Sequence, residues 1–311
     1  MRKNESEKET RKPLKKKSRV IIAISITLGC VIVGGVGGYF VGNMVFRSQN
    51  AIDYSKMNIA DFEDDTESLM KKYSSAKTSD YSITFQPYEL ACIAIEKVKG
   101  HDYVMAQTYG EVDAMGVNQT VRATSIKNKD EYFMENISAS SMVKTAFRFY
   151  QSESKVTTYE GSNVETDKAE WKTKPYSELT TTEHEEKWGK DLSRSIIYII
   201  SSKTCFDTSK AEKTDSGYTV HLDLSPKYSV LRYVRQMLSI SPIKDPIFHS
   251  VQFNLYLDKD LNLLSTEVNE SYSVVMVVTA ESVAHLKEYY TYDVQKNIPA
   301  LNQNLEYSKG E

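Results

Sequence analysis

FHSVQFNLYLDKDLNLLSTEVNESY, Phe248 to Tyr272, decides the architecture of this chain. Val251, Phe253, Leu255 and Leu257 alternate with polar neighbours. A period of two puts successive side chains on opposite faces, so this is a half-buried strand. Asp258-Lys259-Asp260 turns the chain, and Leu263 to Tyr272 returns antiparallel. A hairpin with one apolar face must lie on something.

Upstream, Tyr218, Val220, Leu222 and Leu224 form another alternating strand, with Thr219, His221 and Asp223 on its polar face. Ser225-Pro226 opens a helix, serine as cap and proline in the first turn. Val230, Leu231, Val234, Met237 and Leu238 are its apolar face, with Arg232 and Arg235 off it. Downstream, Val274 to Val278 is apolar throughout, and Leu286 to Val294 is a closing strand.

The first half repeats the grammar. Pro87 to Lys99 is a helix with Leu90, Ala91, Ala94 and Val98 on its buried face and Gly100 at its end. Tyr103, Met105, Gln107 and Tyr109 then alternate with Val104, Ala106 and Thr108. Val117 to Ala123, Tyr132 to Ile137, Thr145 to Tyr150 and Val156 to Tyr159 follow, with turn signals between them. Such spacing predicts an antiparallel meander. Gly161 to Lys190 is polar, anchored by Trp171 and Trp188, with a short helix over Tyr176 to Trp188. Leu192 to Ile200 reads equally as helix or strand.

The sum is an α+β domain: a large curved antiparallel sheet, a half-barrel of about nine to eleven strands, with helices covering its concave face. The expected divisions are a basic tail 1–19, a transmembrane helix 20–46, a linker and stalk helix 47–80, the main domain 81–296, and a loosely ordered tail 297–311.

The order of elements resembles the bacterial lipoprotein-carrier superfamily, which includes the periplasmic lipoprotein carriers and the mycobacterial lipid-binding lipoproteins. The likeness spans residues 85–296. PYELACIAIEKVKG precedes a meander containing VNQTVRATSIKNKDEYFMEN, GYTVHLDLSPKYSVLRYVRQML gives strand then helix, and the Phe248–Tyr272 hairpin precedes a strand with YYTYDV. The resemblance implies a half-open barrel whose apolar inside holds acyl chains. It transfers no binding residue by position. Shuttling carriers are soluble, whereas this chain reads as tethered.

The tether is Val20 to Phe46, 27 residues without a charge. At 1.5 Å per residue a helix of that length crosses a hydrocarbon core of about 30 Å. Cleavage at Cys30 as a lipoprotein is the competing reading; it leaves Val31 to Val41 unexplained, and its leucine stands two residues before the cysteine rather than three. Residues 1–19 hold nine Lys/Arg against three Glu, which puts the N-terminus in the cytoplasm of a bacterial cell and residues 47–311 outside. Gly34, Gly38 and Gly42 line one face of the span, a pattern that packs a second helix and points to a homodimer.

The outer part carries 30 Lys/Arg and 39 Asp/Glu, which disfavours nucleic acid. None of the five histidines pairs at metal-ligand spacing, and no nucleophile elbow, phosphate loop or CxxC is present. His184 reads as part of a solvated charged helix. No enzyme activity, cofactor or metal is expected. Cys92 and Cys205 form one disulfide or two separate buried thiols. The candidate ligand-cavity residues are Tyr103, Met105, Phe147, Phe149, Phe253 and Leu255, placed on one side of the sheet. Two functions follow: an anchored protein holding a lipid or an acylated partner such as a lipoprotein in an apolar cavity, or a tethered protein–protein or sensor module with a filled core.

Overall fold

The computed structural model describes residues 53–305, apart from 115, 142–143, 189–190, 194–195, 241–243 and 276–278. The expected basic tail, the span, Cys30 and the Gly34, Gly38, Gly42 face lie outside the described residues. No helix among those described is long and apolar enough to cross a membrane.

A twelve-stranded antiparallel sheet dominates. The first meander is β1 (Tyr103–Ala114), β2 (Val117–Asn128), β3 (Glu131–Ser140), β4 (Lys144–Ser152) and β5 (Lys155–Ser162), with β6 (Glu170–Trp171) and β7 (Ser177–Thr180) both pairing with β5. The second is β8 (Lys210–Lys213), β9 (Gly217–Leu224), β10 (Lys244–Asp258), β11 (Leu263–Val275) and β12 (Thr279–Tyr292). The meanders join where β1 pairs with β12, giving the order β6-β5-β4-β3-β2-β1-β12-β11-β10-β9-β8. The sheet is open: β8 ends one side, and β6 and β7 the other.

Sequence periodicity explains most of the elements. The tight two-residue β1–β2 turn needs Gly116 at φ +74°, a left-handed conformation that glycine adopts without strain. At the seam β1 lies so close to β12 that a Cβ on Gly110 would fall 2.9 Å from the His285 carbonyl oxygen.

Among the described residues five α-helices accompany the sheet: α1 (Thr66–Ser75), α2 (Tyr81–Thr84), α3 (Pro87–Gly100), α4 (Thr181–Trp188) and α5 (Leu231–Ile240). Proline fills the first turn of α3, and the Gln86 backbone N–H donates to the Glu89 carboxylate at 2.8 Å. Leu90, Ala91, Ile93, Ala94 and Val98 turn inward from it, and Leu231, Tyr233, Val234 and Met237 do the same from α5. Both meet the inner face of the sheet, where Val220, Leu222, Val251, Phe253 and Leu255 form the floor of the largest core cluster. Each such side chain contributes roughly 1.5–3 kcal/mol by leaving water.

Several expectations are corrected. The sheet has twelve strands because the two-residue β6 and the four-residue β7 and β8 carry too short a period to be read. The helix expected over Tyr176–Trp188 begins only at Thr181, its first residues forming β7. The helix expected from Ser225 is a turn to Val230 and α-helical from Leu231, and Leu238 is exposed on it. Within Leu192 to Ile200, the described residues 192–193 and 196–200 are neither helix nor strand. Residues 196–200 form an irregular, largely buried roof whose Ile199 N–H donates to the Ser229 carbonyl at 2.8 Å. The stalk helix is α1, which lies against the domain through Leu69, Met70 and Tyr73.

The C-terminal segment also differs from expectation. Residues 299–303 are fixed by side chains of β4: Tyr150 OH donates to the Pro299 carbonyl at 3.1 Å, and the Arg148 guanidinium donates to those of Ala300, Leu301 and Gln303 at 3.2, 2.7 and 2.6 Å.

Candidate functional site

Between the inner face of the sheet, α3, α5 and the 196–200 roof lies a cavity of about 770 Å³. Its position follows from side-chain size. Along the middle of β1 and β2 the cavity floor includes Val104, Ala106, Thr108, Ala123 and Ser125, all small. Protein interiors otherwise pack to crystal density, so small floor residues under a helical roof leave space. Leu286 and Tyr290 of β12, Val268 of β11 and Phe253 of β10 continue the lining. Val98, Ile196, Ile197 and Tyr198 cover it.

The six candidate residues fall in four places. Phe253 lines the cavity and packs on Tyr198, ring centroids 5.8 Å apart. Leu255, two residues on, is fully buried in the filled core beside it. Phe147 and Phe149 share the inner face but lie further out: Phe149 meets the His184 ring at 5.3 Å and Phe147 the Tyr176 ring at 6.1 Å. Tyr103 and Met105 point to the opposite face, since their neighbours Val104 and Ala106 line the cavity. Slipping one residue along a strand reverses every side chain. The signal that resolves the parity is downstream: Glu111 and Asp113, both exposed, share a face with Tyr103, whereas buried Gly110 and Val112 share one with Val104.

The cavity's polar groups escape a search for motifs. Glu288 is on the inner face, where Thr108 Oγ1 donates to it at 3.0 Å and the Tyr290 hydroxyl donates to its second oxygen. Lys127 Nζ donates to the Lys99 and His101 carbonyls at 2.8 and 2.7 Å, placing a cation at the carbonyl end of α3. The charged lining includes Arg232 and Arg235 of α5 and Glu185 and Glu186 of α4 with Asp191, and α4 packs against α5. Across the α5 side runs the segment 53–63, whose 3-10 turns are Tyr54–Lys56 and Ile59–Phe62. Ile59 reaches the cavity wall.

Beyond the floor, Glu270 is buried among three tyrosines. Tyr198 OH donates to one carboxyl oxygen at 2.5 Å and Tyr233 OH to the other at 3.3 Å. Burial pushes the Glu270 carboxyl up to about 8 against these two hydrogen bonds, and pushes the Tyr198, Tyr233 and Tyr272 hydroxyls up as well. Its signal was in the sequence: Glu270 has the parity of Val268 and Tyr272, a charge on an apolar face.

His184 is 2 % exposed rather than solvated, because α4 folds back over β4. His221 does lie on the outer face. Among the described residues no group of three or more His, Cys, Asp or Glu is arranged to hold a metal ion. Cys92 and Cys205 are free thiols.

No protein-family model and no curated protein matches the chain. Among solved structures it overlaps a DUF1329 family protein from Desulfovibrio piger at 11 % identity, covering 68 % of this chain and 93 % of that one, with a TM-score of 0.25. It overlaps the ywiB protein from Bacillus subtilis at 8 % identity, covering 62 % and 94 %, with a TM-score of 0.18. Neither superposition reaches the level at which two chains share a fold.

Proposed function

We propose that this chain is a membrane-anchored protein of the bacterial cell envelope whose outer domain binds a lipid or an acylated partner in the cavity beneath α3 and α5. One observation carries the reading. The space over Ala106, Thr108, Ala123 and Ser125 is a cavity of about 770 Å³, within the roughly 300–1,000 Å³ of ligand pockets, and not a filled core. Aliphatic and aromatic side chains make up about half of its lining residues and suit an acyl chain. Binding there calls for no catalytic residue, and the proposal assigns the chain no reaction.

The anchor at 20–46 fits this role. Six residues, seven Cα–Cα steps, link Phe46 to Asp53, so the segment bordering the cavity starts within about 25 Å of the end of that span. A lipid then passes between bilayer and cavity without a soluble shuttle.

The test is native mass spectrometry of the detergent-washed full chain, beside an Ala106→Trp variant that fills the floor. A retained acyl-lipid mass on the wild type, absent from the variant, is expected. An empty wild type after incubation with membrane lipids overturns the proposal, as does equal retention by both proteins.

A further inference from the structure

We infer that the α5 side of the cavity mouth is an anion subsite, formed by Arg232 and Arg235 for the charged headgroup of an acyl lipid, and that the segment Met57–Glu63 occupies it in the ligand-free protein. This rests on the lipid-binding reading and adds the headgroup class.

Positions three apart on a helix lie on one face, and both guanidinium groups belong to residues that line the cavity. The Arg232 side chain is 14 % exposed, and burial lowers its pKa. A guanidinium in that position calls for a carboxylate or phosphate, whose oxygens match its planar fork. The chain itself supplies such a group, since Arg232 is paired with the Glu63 carboxylate. Arg235 donates to the main-chain carbonyl of Met57, a neutral acceptor. Of the partners these two cations hold, one is therefore an anion and one is neutral. Glu185, Glu186 and Asp191 also line the cavity, and α4 packs against α5.

No residue of the turn Ile59–Phe62 is fully buried, although Met57, Ile59 and Phe62 pack against the main core cluster. The segment is also tied by the two arginines, by Lys203 Nζ on the Asp61 carbonyl at 2.8 Å and by Phe62 stacked on Tyr228 at 4.7 Å, and just beyond it Asp64 accepts from Ser202 N and Oγ at 2.6 and 2.8 Å. An anionic headgroup replaces Glu63 and the Met57 carbonyl with stronger acceptors, while its acyl chain displaces Ile59 from the wall.

The experiment uses the full chain in phosphatidylcholine liposomes with a trace of a diazirine-bearing lipid, either phosphatidylglycerol or uncharged diacylglycerol with the same acyl chains. Adducts on the β1–β2 peptides are quantified after irradiation. Expected is about tenfold more labelling by the anionic probe, the effect of one charge-assisted hydrogen bond. Arg232→Gln with Arg235→Gln brings that ratio to about one while diacylglycerol labelling persists, and Glu63→Gln raises labelling by phosphatidylglycerol alone. Equal labelling of the wild type by both probes overturns the anion subsite and leaves lipid binding standing. No β1–β2 labelling by either probe sinks lipid binding itself. Should the double variant lose both labels through misfolding, Glu63→Gln decides, and an unchanged ratio there overturns the inference.

Discussion

Arg148 of β4 stands directly opposite Glu135 of β3, and the two form an ion pair wholly removed from solvent on the outer face of the sheet. The pair is also a clasp. The guanidinium packs over the Trp171 ring at 4.2 Å and spends its remaining donors on three carbonyls of the C-terminal segment.

Removing one partner strands the other charge in a dry site. Arg148→Met is expected to cost about 3–5 kcal/mol of stability and to free residues 299–303. Denaturant unfolding followed by tryptophan fluorescence measures the first, and limited proteolysis after Lys296 the second. An unchanged midpoint with an intact C-terminus contradicts the clasp.

Glu270 links stability to pH. Its folded pKa is about 8, above the ordinary 4.5, so the folded chain holds a proton that the unfolded chain releases. Its contribution is full below about 4.5 and is lost as pH rises to about 8. Glu270→Gln is expected to flatten that decline, making the variant more stable than wild type at pH 8 by roughly a few kcal/mol. Melting temperatures from pH 5 to 9 test this, and parallel curves for the two proteins rule it out.

Burial pushes the Cys92 and Cys205 thiols up to about 12. Only a thiolate attacks alkylating reagents, so Cys92 and Cys205 should react at least tenfold more slowly than a free cysteine at pH 8, and at the ordinary rate in denaturant. Timed iodoacetamide labelling with peptide mapping gives the answer. Rapid labelling of the folded chain, or recovery of a Cys92–Cys205 disulfide, is the contrary result.

At Gly110 the backbone of β1 lies against β12 with no room for a Cβ. Gly110→Ala puts a methyl against the His285 carbonyl and the Leu286 side chain, and should cost about 1–3 kcal/mol. Thermal unfolding reads it directly; a neutral substitution means that the strands move apart freely.

Period-two alternation made β9, β10, β11 and the β1–β5 meander legible, and proline with helical spacing did so for α3. Both signals are local. The partnership of β1 with β12 has no local signature, because it joins residues about 180 positions apart. On β1 the face itself was ambiguous, since Tyr103 and Met105 are as apolar as Val104 and Ala106 and larger. The irregular roof at 196–200 is tied to distant residues, Ile199 N–H to the Ser229 carbonyl and the Cys92 thiol to the Ile200 carbonyl, which no periodicity encodes. The cavity was unreadable for a related reason: it depends on how far α3 and α5 stand from Ala106 and Ala123.

The β1–β12 seam orders events during synthesis. β1 is made early, yet its inner partner emerges only when Tyr292 has left the ribosome. Until then the first meander has an unpaired edge along β1, open to pairing with another chain. A truncation upstream of Thr279 removes β12 and leaves the β1 edge without its partner for good.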